Sequence, residues 1–600
     1  MSMVNTLPKR EEMDPAFFWR MEDLYPSDQD WEEEYLVLEN RISDLAQLKG
    51  TLKKGGKELL NVLQKKDEVN KLFERVYVYA NQRYHQDTGN QVYQAMTGRS
   101  MALMTRLSDA TAYLEPEILE LEPELLVGWM KEEPELQIYR RFLEEQLRTR
   151  EHILSAEMES VLAKAGEMGS SPQEIFTSFN NADLTFGTVK NDAGKEIMLT
   201  HGRYISFMES RNREVRKEAF ETLYKAYEDH KNTLAACFNA NLKQAAFFAG
   251  MRKYPSALEA SLDEGNIPVS VYDNLIRAVH ESMDSMYSYV QLRKKLLGVD
   301  TLHMYDVYAP MVEYTDKEIS FEEAKKLVKE GLSVLGEEYG SILQEGFDNG
   351  WIDVYENQGK RSGAYSWGAY GTHPYVLLNY SGNLNAVFTL AHEMGHAIHS
   401  YYSDRTQPYV YAGYRIFVAE VASTCNEALL IHYLMEKADS KEEKAYLINY
   451  FLDQFKGTLF RQTMFAEFEK LMHQRFADEG SIPAQSICDL YYELNQQYFG
   501  PDMEVDSQIA MEWSRIPHFY TPFYVYQYAT GFSAAIAISS KILAGEEGIV
   551  EKFRQFLSGG SSMDPIDLLK LCGVDMTTGD AVTEALRVFR EYVSKLEKLV

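Results

Sequence analysis

The sequence predicts a mainly α fold, a large multi-helix protein carrying a small β-sheet. Two observations support this: helical periodicity runs through most of the 600 residues, and strand-forming stretches are few and short. In residues 140–166 (RRFLEEQLRTREHILSAEMESVLAKAG) and 212–250, apolar side chains recur three and four positions apart among charges, with almost no helix breakers. Both segments read as long amphipathic helices. DLTFGTV and KEIMLT flank the turn-prone Asn191-Asp192-Ala193-Gly194 and suggest one hairpin, while HMYDVYAPM and HPYVLLNY are β-rich runs nearer the middle. There is no low-complexity tract, no Gly/Ser linker and no clean repeat. One soft boundary is expected near residue 185, dividing an N-terminal helical lobe, 1–185, from the remainder, 186–600.

Composition narrows the function. With 45% hydrophobic and 25% charged residues the chain can bury a large core. Its 61 basic against 91 acidic residues give a net charge of -30, which leaves no source for the phosphate neutralisation that nucleic-acid binding needs. The N-terminal MSMVNTLPKREEMDPAFFW has no apolar core of a signal sequence, and no segment approaches eighteen uninterrupted apolar residues. A soluble, unexported protein without a membrane partner is expected. Four dispersed cysteines, Cys237, Cys425, Cys488 and Cys572, form no C-x-x-C pair, which argues against disulfides and thiolate metal sites and for a cytoplasmic location. Oligomeric state is left open by these features.

The chemistry concentrates in TLAHEMGHAIHS, residues 389–400. Asn383 or Asn385 can cap a helix whose packing face is Leu384, Val387, Leu390, Ala391, Met394 and Ile398, running through residue 400. On it His392 and His396 are neighbours one turn apart, so two imidazoles can reach one tetrahedral Zn²⁺ at about 2.0–2.1 Å each. Glu393 leaves the same turn at an angle that lets it touch a water on the metal without ligating it. At this composition an H-[DE]-x-x-H match is expected by chance about 0.04 times per chain, so the motif is informative. The competing reading is a pair of hydrogen-bonded core histidines. His399 lies about 10.5 Å of helix rise beyond His392, too far to share the ion, and is assigned to burial or to hydrogen bonding behind the site. Position 402 is Tyr, which excludes the metzincin pattern.

A catalytic zinc needs a third protein ligand and an open position. SDRTQP, residues 403–408, reads as a turn, after which a second helical pattern begins near Tyr414 and places Glu420, Ser423 and Glu427 on one side. Two antiparallel helices would bring one of these glutamates over the histidines. Glu420, deepest in the apolar run, is preferred as ligand, and Glu427 is the candidate for orienting an imidazole.

HEMGHAIH followed by FVAEVAST, preceded by PYVLLNYSGNLNAVFTLA, together with RRFLEEQLRTREHILS, resembles the oligoendopeptidase F group of the M3, thimet oligopeptidase-like, zinc metallopeptidases. The similarity spans most of the chain and is most specific over residues 363–427. It implies zinc ligands at His392, His396 and Glu420, with Glu393 as the catalytic glutamate. It also implies a two-lobed, mostly helical fold with the site at the bottom of a deep substrate channel, and hydrolysis of short peptides rather than folded proteins. On this reading residues 186–600 form the catalytic domain. Chemistry agrees: zinc acidifies water and polarises a carbonyl, Glu393 can move the proton to the leaving amine, and a further donor should face the developing oxyanion.

RIPHFYTPFYVYQYATGF, residues 515–532, is the best source of that donor. His518 matches the histidine that related M3 enzymes use, and Tyr524 and Tyr528, one turn apart if the stretch after Pro522 is helical, match their tyrosines with altered spacing. Tyr526 is assigned to packing. The glycine-bearing stretch 363–383 suggests a mobile loop leading to an edge strand that could pair with an extended peptide, and His373 could point into the channel. The sequence therefore predicts a zinc endopeptidase for oligopeptides. Two alternatives are a zinc carboxypeptidase, in which Arg415, Arg515 or another base would hold the substrate carboxylate, and a non-catalytic helical peptide-binding protein.

Overall fold

The computed structural model describes residues 7–313 and 317–600. It is mainly helical, as the periodicity predicts, and among the described residues the strands are short: β1 (Thr188–Lys190), β2 (Glu196–Met198), β3 (Leu302–His303), β4 (Ile352–Asp353), β5 (Tyr365–Trp367), β6 (Tyr375–Leu377) and β7 (Met503–Glu504). The expected hairpin is present as antiparallel β1–β2, with Thr188 opposite Met198 and Asn191–Gly194 at its turn. β3 pairs in parallel with β7, and the third sheet has the order β4-β6-β5. HPYVLLNY supplies β6, which is the central strand of its sheet and not the expected edge, the β5 side being open instead, and HMYDVYAPM gives only the end of β3. Asp306 accepts the His303 backbone N–H (3.0 Å) and the Arg216 guanidinium (2.7 Å), and this curls the chain into a single turn, Met304–Asp306.

Both long helices read from periodicity are divided. Residues 140–166 form Arg140–Arg148 and, after a break, Ala156–Gly169. Arg150 donates to the Leu119 carbonyl (2.7 Å) and His152 stacks on Tyr254 at 3.7 Å, so tertiary contacts override a helical pattern that carries no local breaker. Residues 212–250 form Arg213–Glu228 and Lys231–Met251, separated at Asp229-His230.

The chain builds two compact units, each from three segments: Met1–Glu151, Asp316–Tyr433 and Ile538–Gly573 in the first, and His152–Thr315, Leu434–Ala537 and Val574–Val600 in the second. This division differs from a single cut near residue 185, because the chain first changes unit at the 149–155 break and crosses again later. Within the first unit, Tyr375 and Leu377 of β6 share a core with Trp31, Leu38 and Tyr79, which seats the three-stranded sheet against the N-terminal helices. The Trp31 indole donates to the Val76 carbonyl (2.8 Å), so its one polar atom is satisfied in that core. On this sheet lies the helix Leu384–Thr406, which also packs on Phe321–Gly331, Gly336–Asp348 and Ile549–Leu557. No helix among the described residues is long and apolar enough to cross a membrane.

The second unit is held by buried charges that are neutralised in place. Glu512 accepts from Tyr491 (2.6 Å) and Arg461 (2.8 Å) and lies 3.3 Å from Arg515. Phe523 adopts φ +56°, a left-handed conformation that a bulky residue avoids, and its N–H donates to Glu469 Oε1 at 2.7 Å. Glu469 is 1% exposed and its other oxygen has no hydrogen-bond partner among the described residues. Burial pushes its carboxyl up to about 8, against the Phe523 hydrogen bond that favours the charged form. The folded state thus holds this proton more tightly than the unfolded chain. The resulting stability is present below the ordinary carboxylate range and is lost as pH rises through about 8. Glu469→Gln keeps the acceptor and removes the titration, so the melting temperature of the variant, followed from pH 5 to 8.5, should decline less than that of the parent; parallel curves would exclude a protonated Glu469.

Candidate metal centre

The motif helix begins where expected. Asn383 caps it, its side chain accepting the Ala386 N–H at 2.9 Å. It ends later than the turn-like SDRTQP suggests, continuing to Thr406, because the hydroxyl of Thr406 and the amide of Gln407 both donate to the Ser558 carbonyl (2.8 Å each). The glutamate helix runs Ile416–Lys437.

The two helices meet at Gly395. A Cβ there would lie 2.6 Å from Ser423 Cα and 2.9 Å from its nitrogen, so only glycine allows this approach. Asn426 fixes the register: its amide donates to the Ala391 carbonyl (3.0 Å) and its oxygen accepts from Tyr339 (2.8 Å). Neither Gly395 nor Asn426 carries a sequence signal of its own; a glycine inside an apolar helical run is the nearest to one.

This approach brings the expected ligands together. His392 Nε2 and His396 Nε2 are 3.2 Å apart, and Glu420 Oε2 lies 3.3 Å from the first and 3.5 Å from the second. These three residues could hold a metal ion, one donor atom from each, with all donors within 4.8 Å of one another. Behind them Glu427 Oε1 meets His392 Nδ1 at 2.5 Å, the orienting contact expected of it, and the Ser423 hydroxyl donates to Glu420 Oε2 at 3.1 Å. Burial works against the charged form of both partners, yet the Glu420 and Glu427 hydrogen bonds hold the His392 imidazole well above its ordinary range, and the two histidines hold Glu420 well below the usual carboxylate range.

Glu393 is 7% exposed on the same helix. Burial pushes its carboxyl up, with His392 and His396 opposing. A buried carboxyl whose proton affinity is raised, on the helix that carries the candidate ligands, is the kind of group that can exchange a proton. His399 is buried, stacks on Tyr414 at 3.8 Å and is driven down to about 3 by burial, in keeping with a packing role. His373 instead stacks on Trp351 (5.5 Å) and its Nε2 meets Asp23 (3.1 Å), so both the ring face and the ring nitrogen are engaged in packing.

In the second unit His518, Tyr524 and Tyr528 form a cluster: the Tyr528 hydroxyl is 3.5 Å from His518 Nε2, and the rings of Tyr524 and Tyr528 are 5.5 Å apart. The cluster does not arise from a continuous helix after Pro522. The left-handed Phe523 delays the helix to Tyr526–Leu543, leaving Tyr524 in the preceding turn. Burial lowers the His518 imidazole. Tyr526 is buried against Tyr272 (5.1 Å), as packing requires. Of the candidate carboxylate holders, Arg415 faces Glu145 at 3.5 Å and Arg515 faces Glu512 at 3.3 Å.

A helical chain with two imidazoles and a carboxylate converging on one point from adjacent helices has the framework of a metallopeptidase, and the comparisons agree. The Peptidase family M3 profile matches residues 206–588 and the Oligopeptidase F profile residues 117–186, and the chain belongs to peptidase family M3. Among curated relatives, Oligopeptidase PepF of Bacillus subtilis (strain 168) is 46% identical over 99% of this chain and 89% of its own length. A solved chain from Chlamydophila abortus superposes with TM-score 0.92 at 34% identity, covering 99% of this chain and all of that one. Oligoendopeptidase-F from Enterococcus faecium superposes with TM-score 0.74 at 39% identity, covering 95% of this chain and 99% of that one.

Gly395→Ala tests the helix contact. The added methyl group must push Ser423 away, so overpacking should cost about 1–3 kcal/mol in thermal stability. Metal affinity, measured by competition with a chromogenic chelator, should fall about tenfold or more as Glu420 withdraws. An unchanged affinity would show that the approach is not what positions Glu420.

Proposed function

We propose that the chain is a zinc-dependent endopeptidase that hydrolyses internal bonds of short oligopeptides. The observation that carries this is the spacing of the three donors. Tetrahedral ligands at about 2.0–2.1 Å from zinc stand about 3.3–3.4 Å from one another. The distances here are 3.2, 3.3 and 3.5 Å, so the donor set fits the ion without rearrangement of the two helices. Two imidazoles and one carboxylate are also the ligand types of catalytic zinc, with a fourth position left for chemistry.

Zinc bound there would polarise the scissile carbonyl and acidify the attacking water. The Glu393 carboxylate takes the proton of that water and delivers it to the leaving amine, the task for which a buried, upward-shifted carboxyl is suited. Glu427, by accepting the Nδ1 proton of His392, turns Nε2 towards the shared point. His518, Tyr524 and Tyr528 are assigned to binding substrate and the developing oxyanion; their clustering supports treating them as one group.

Substrate backbone is assigned to the edge of the three-stranded sheet. The Val376 N–H is spent on Trp351 of the β4 side, so the Tyr365–Leu377 and Trp367–Tyr375 pairs carry the β5–β6 ladder. The N–H and C=O of Ser366 therefore face outward and can pair with an extended peptide whatever its side chains. Broad specificity for short, unfolded substrates follows. Arg415 and Arg515 already face carboxylates, which favours internal cleavage over recognition of a free C-terminus. All four cysteines are unpaired and buried, which supports assignment to a reducing cytoplasm.

The test is Glu393→Gln beside the parent protein. The variant should retain one zinc per chain by elemental analysis while turnover of an end-blocked fluorogenic peptide falls by about 10²–10⁴-fold. A chelator should abolish the parent's activity and zinc restore it, and mass spectrometry should find internal cleavage of the blocked peptide. Retained turnover in Glu393→Gln would remove that residue from the general-base role.

A further inference from the structure

Within the first unit a cavity of about 600 Å³ lies against the motif helix. Its walls include Ser366 and Trp367 of β5, Glu74, Ser400, Asp404 and Tyr414. His392, His396, Ser400 and Asp404 follow one another at four-residue intervals, so they form a stripe that winds slowly round one helix. Ser400 and Asp404 stand about 6 Å and 12 Å of helix rise beyond His396. The cavity thus begins one turn from the candidate metal ligands and shares the outward-facing edge of Ser366.

Its charge is unbalanced. Three carboxylates, Asp67, Glu74 and Asp404, line it with a single ammonium, Lys66, which lies over the Phe142 ring at 5.2 Å. Asp67 accepts from Tyr139 (2.7 Å), and Glu74 accepts from the Tyr409 hydroxyl (2.6 Å) and the Tyr370 N–H (3.3 Å). The nearby Lys71 lies over the Tyr370 and Tyr409 rings, at 5.1 and 5.4 Å, and its charge acts on Asp67 and Glu74. Asp404 has neither an ion pair nor a side-chain hydrogen bond among the described residues. Burial, and then the Glu74 charge, push its carboxyl up to about 7. A positive guest would relieve that repulsion, whereas an apolar or anionic guest would leave or worsen it.

We propose that this cavity is a substrate subsite for a basic side chain, lysine or arginine, with Asp404 as its ion-pair partner and Glu74 completing the acidic wall. The assignment rests on the endopeptidase reading. An extended peptide paired at Ser366 advances about 3.3 Å per residue, so the basic residue falls within about four residues of the scissile bond. A guanidinium or ammonium on a long apolar stem suits the walls, where Trp367 and Tyr414 flank the stem and the carboxylates meet the head.

The test is a set of end-blocked, quenched-fluorescent peptides in which each position in turn carries arginine, glutamine, norleucine or glutamate, assayed with zinc-loaded protein. At one position within four residues of the cleaved bond, arginine should exceed norleucine about tenfold in kcat/KM, mostly through KM. In Asp404→Asn that ratio should fall to near one while the ratios at other positions stay as in the parent; Asp404→Glu should keep part of it. Each ratio is taken within one preparation, so a change in the folded fraction cancels. Uniform ratios at every position, a preference that survives Asp404→Asn, or glutamine equalling arginine would each overturn the subsite while leaving the endopeptidase reading intact. Failure to cleave any peptide would overturn both.

Discussion

The candidate metal centre depends on one contact, the backbone of Gly395 laid against the backbone of Ser423. Histidines at i and i+4 present two donors from any well-formed helix, but a carboxylate from a second helix reaches their shared point only if the helix axes come unusually close. Removing a single Cβ achieves this, and Asn426, bonded across to Ala391, then sets which residue of the second helix arrives opposite the histidines. Glu420 reaches the pair and Glu427, two turns on, reaches the far side of His392. One approach distance therefore brings both the candidate ligand and the carboxylate behind His392 into place.

The electrostatics of the centre follow from the same closeness. Three carboxylates, Glu393, Glu420 and Glu427, surround two imidazoles in a partly buried pocket, an excess of negative charge over what the imidazoles can balance. A divalent cation held by these donors would replace the proton between them and compensate the excess acid. Elsewhere the protein handles buried charge differently: around Glu512 the compensation is built in as arginines and a tyrosine, leaving nothing for a ligand to supply.

What could be read from the chain tracks how local each cause is. The spacing of His392, Glu393 and His396, the Asn383 cap and the Asn191–Gly194 turn act over four or five residues, and the structure has them where the sequence places them. Helical periodicity puts Glu420, Ser423 and Glu427 on one side, but which glutamate stands opposite the histidines is set by the Gly395–Ser423 and Asn426–Ala391 contacts between the helices. The break at 149–155, the left-handed Phe523 and the extension of the motif helix to Thr406 were not legible, because each involves a partner tens or hundreds of residues away: Leu119, Glu469, Ser558. The acidic cavity was invisible for the same reason, its walls coming from helices, a strand edge and a turn that no linear pattern links.

The unit that holds the centre is closed by late-arriving chain. The Ser558 carbonyl accepts from Thr406 at the end of the motif helix, Phe556 packs on His399 at 5.5 Å, and the Ser561 N–H donates to the Tyr411 carbonyl at 2.9 Å. During synthesis at about 5–20 residues per second, the two histidines leave the ribosome many seconds before the segment that completes their surroundings. Until the segment Ile538–Gly573 has emerged, the nascent chain presents both imidazoles on an unfinished scaffold.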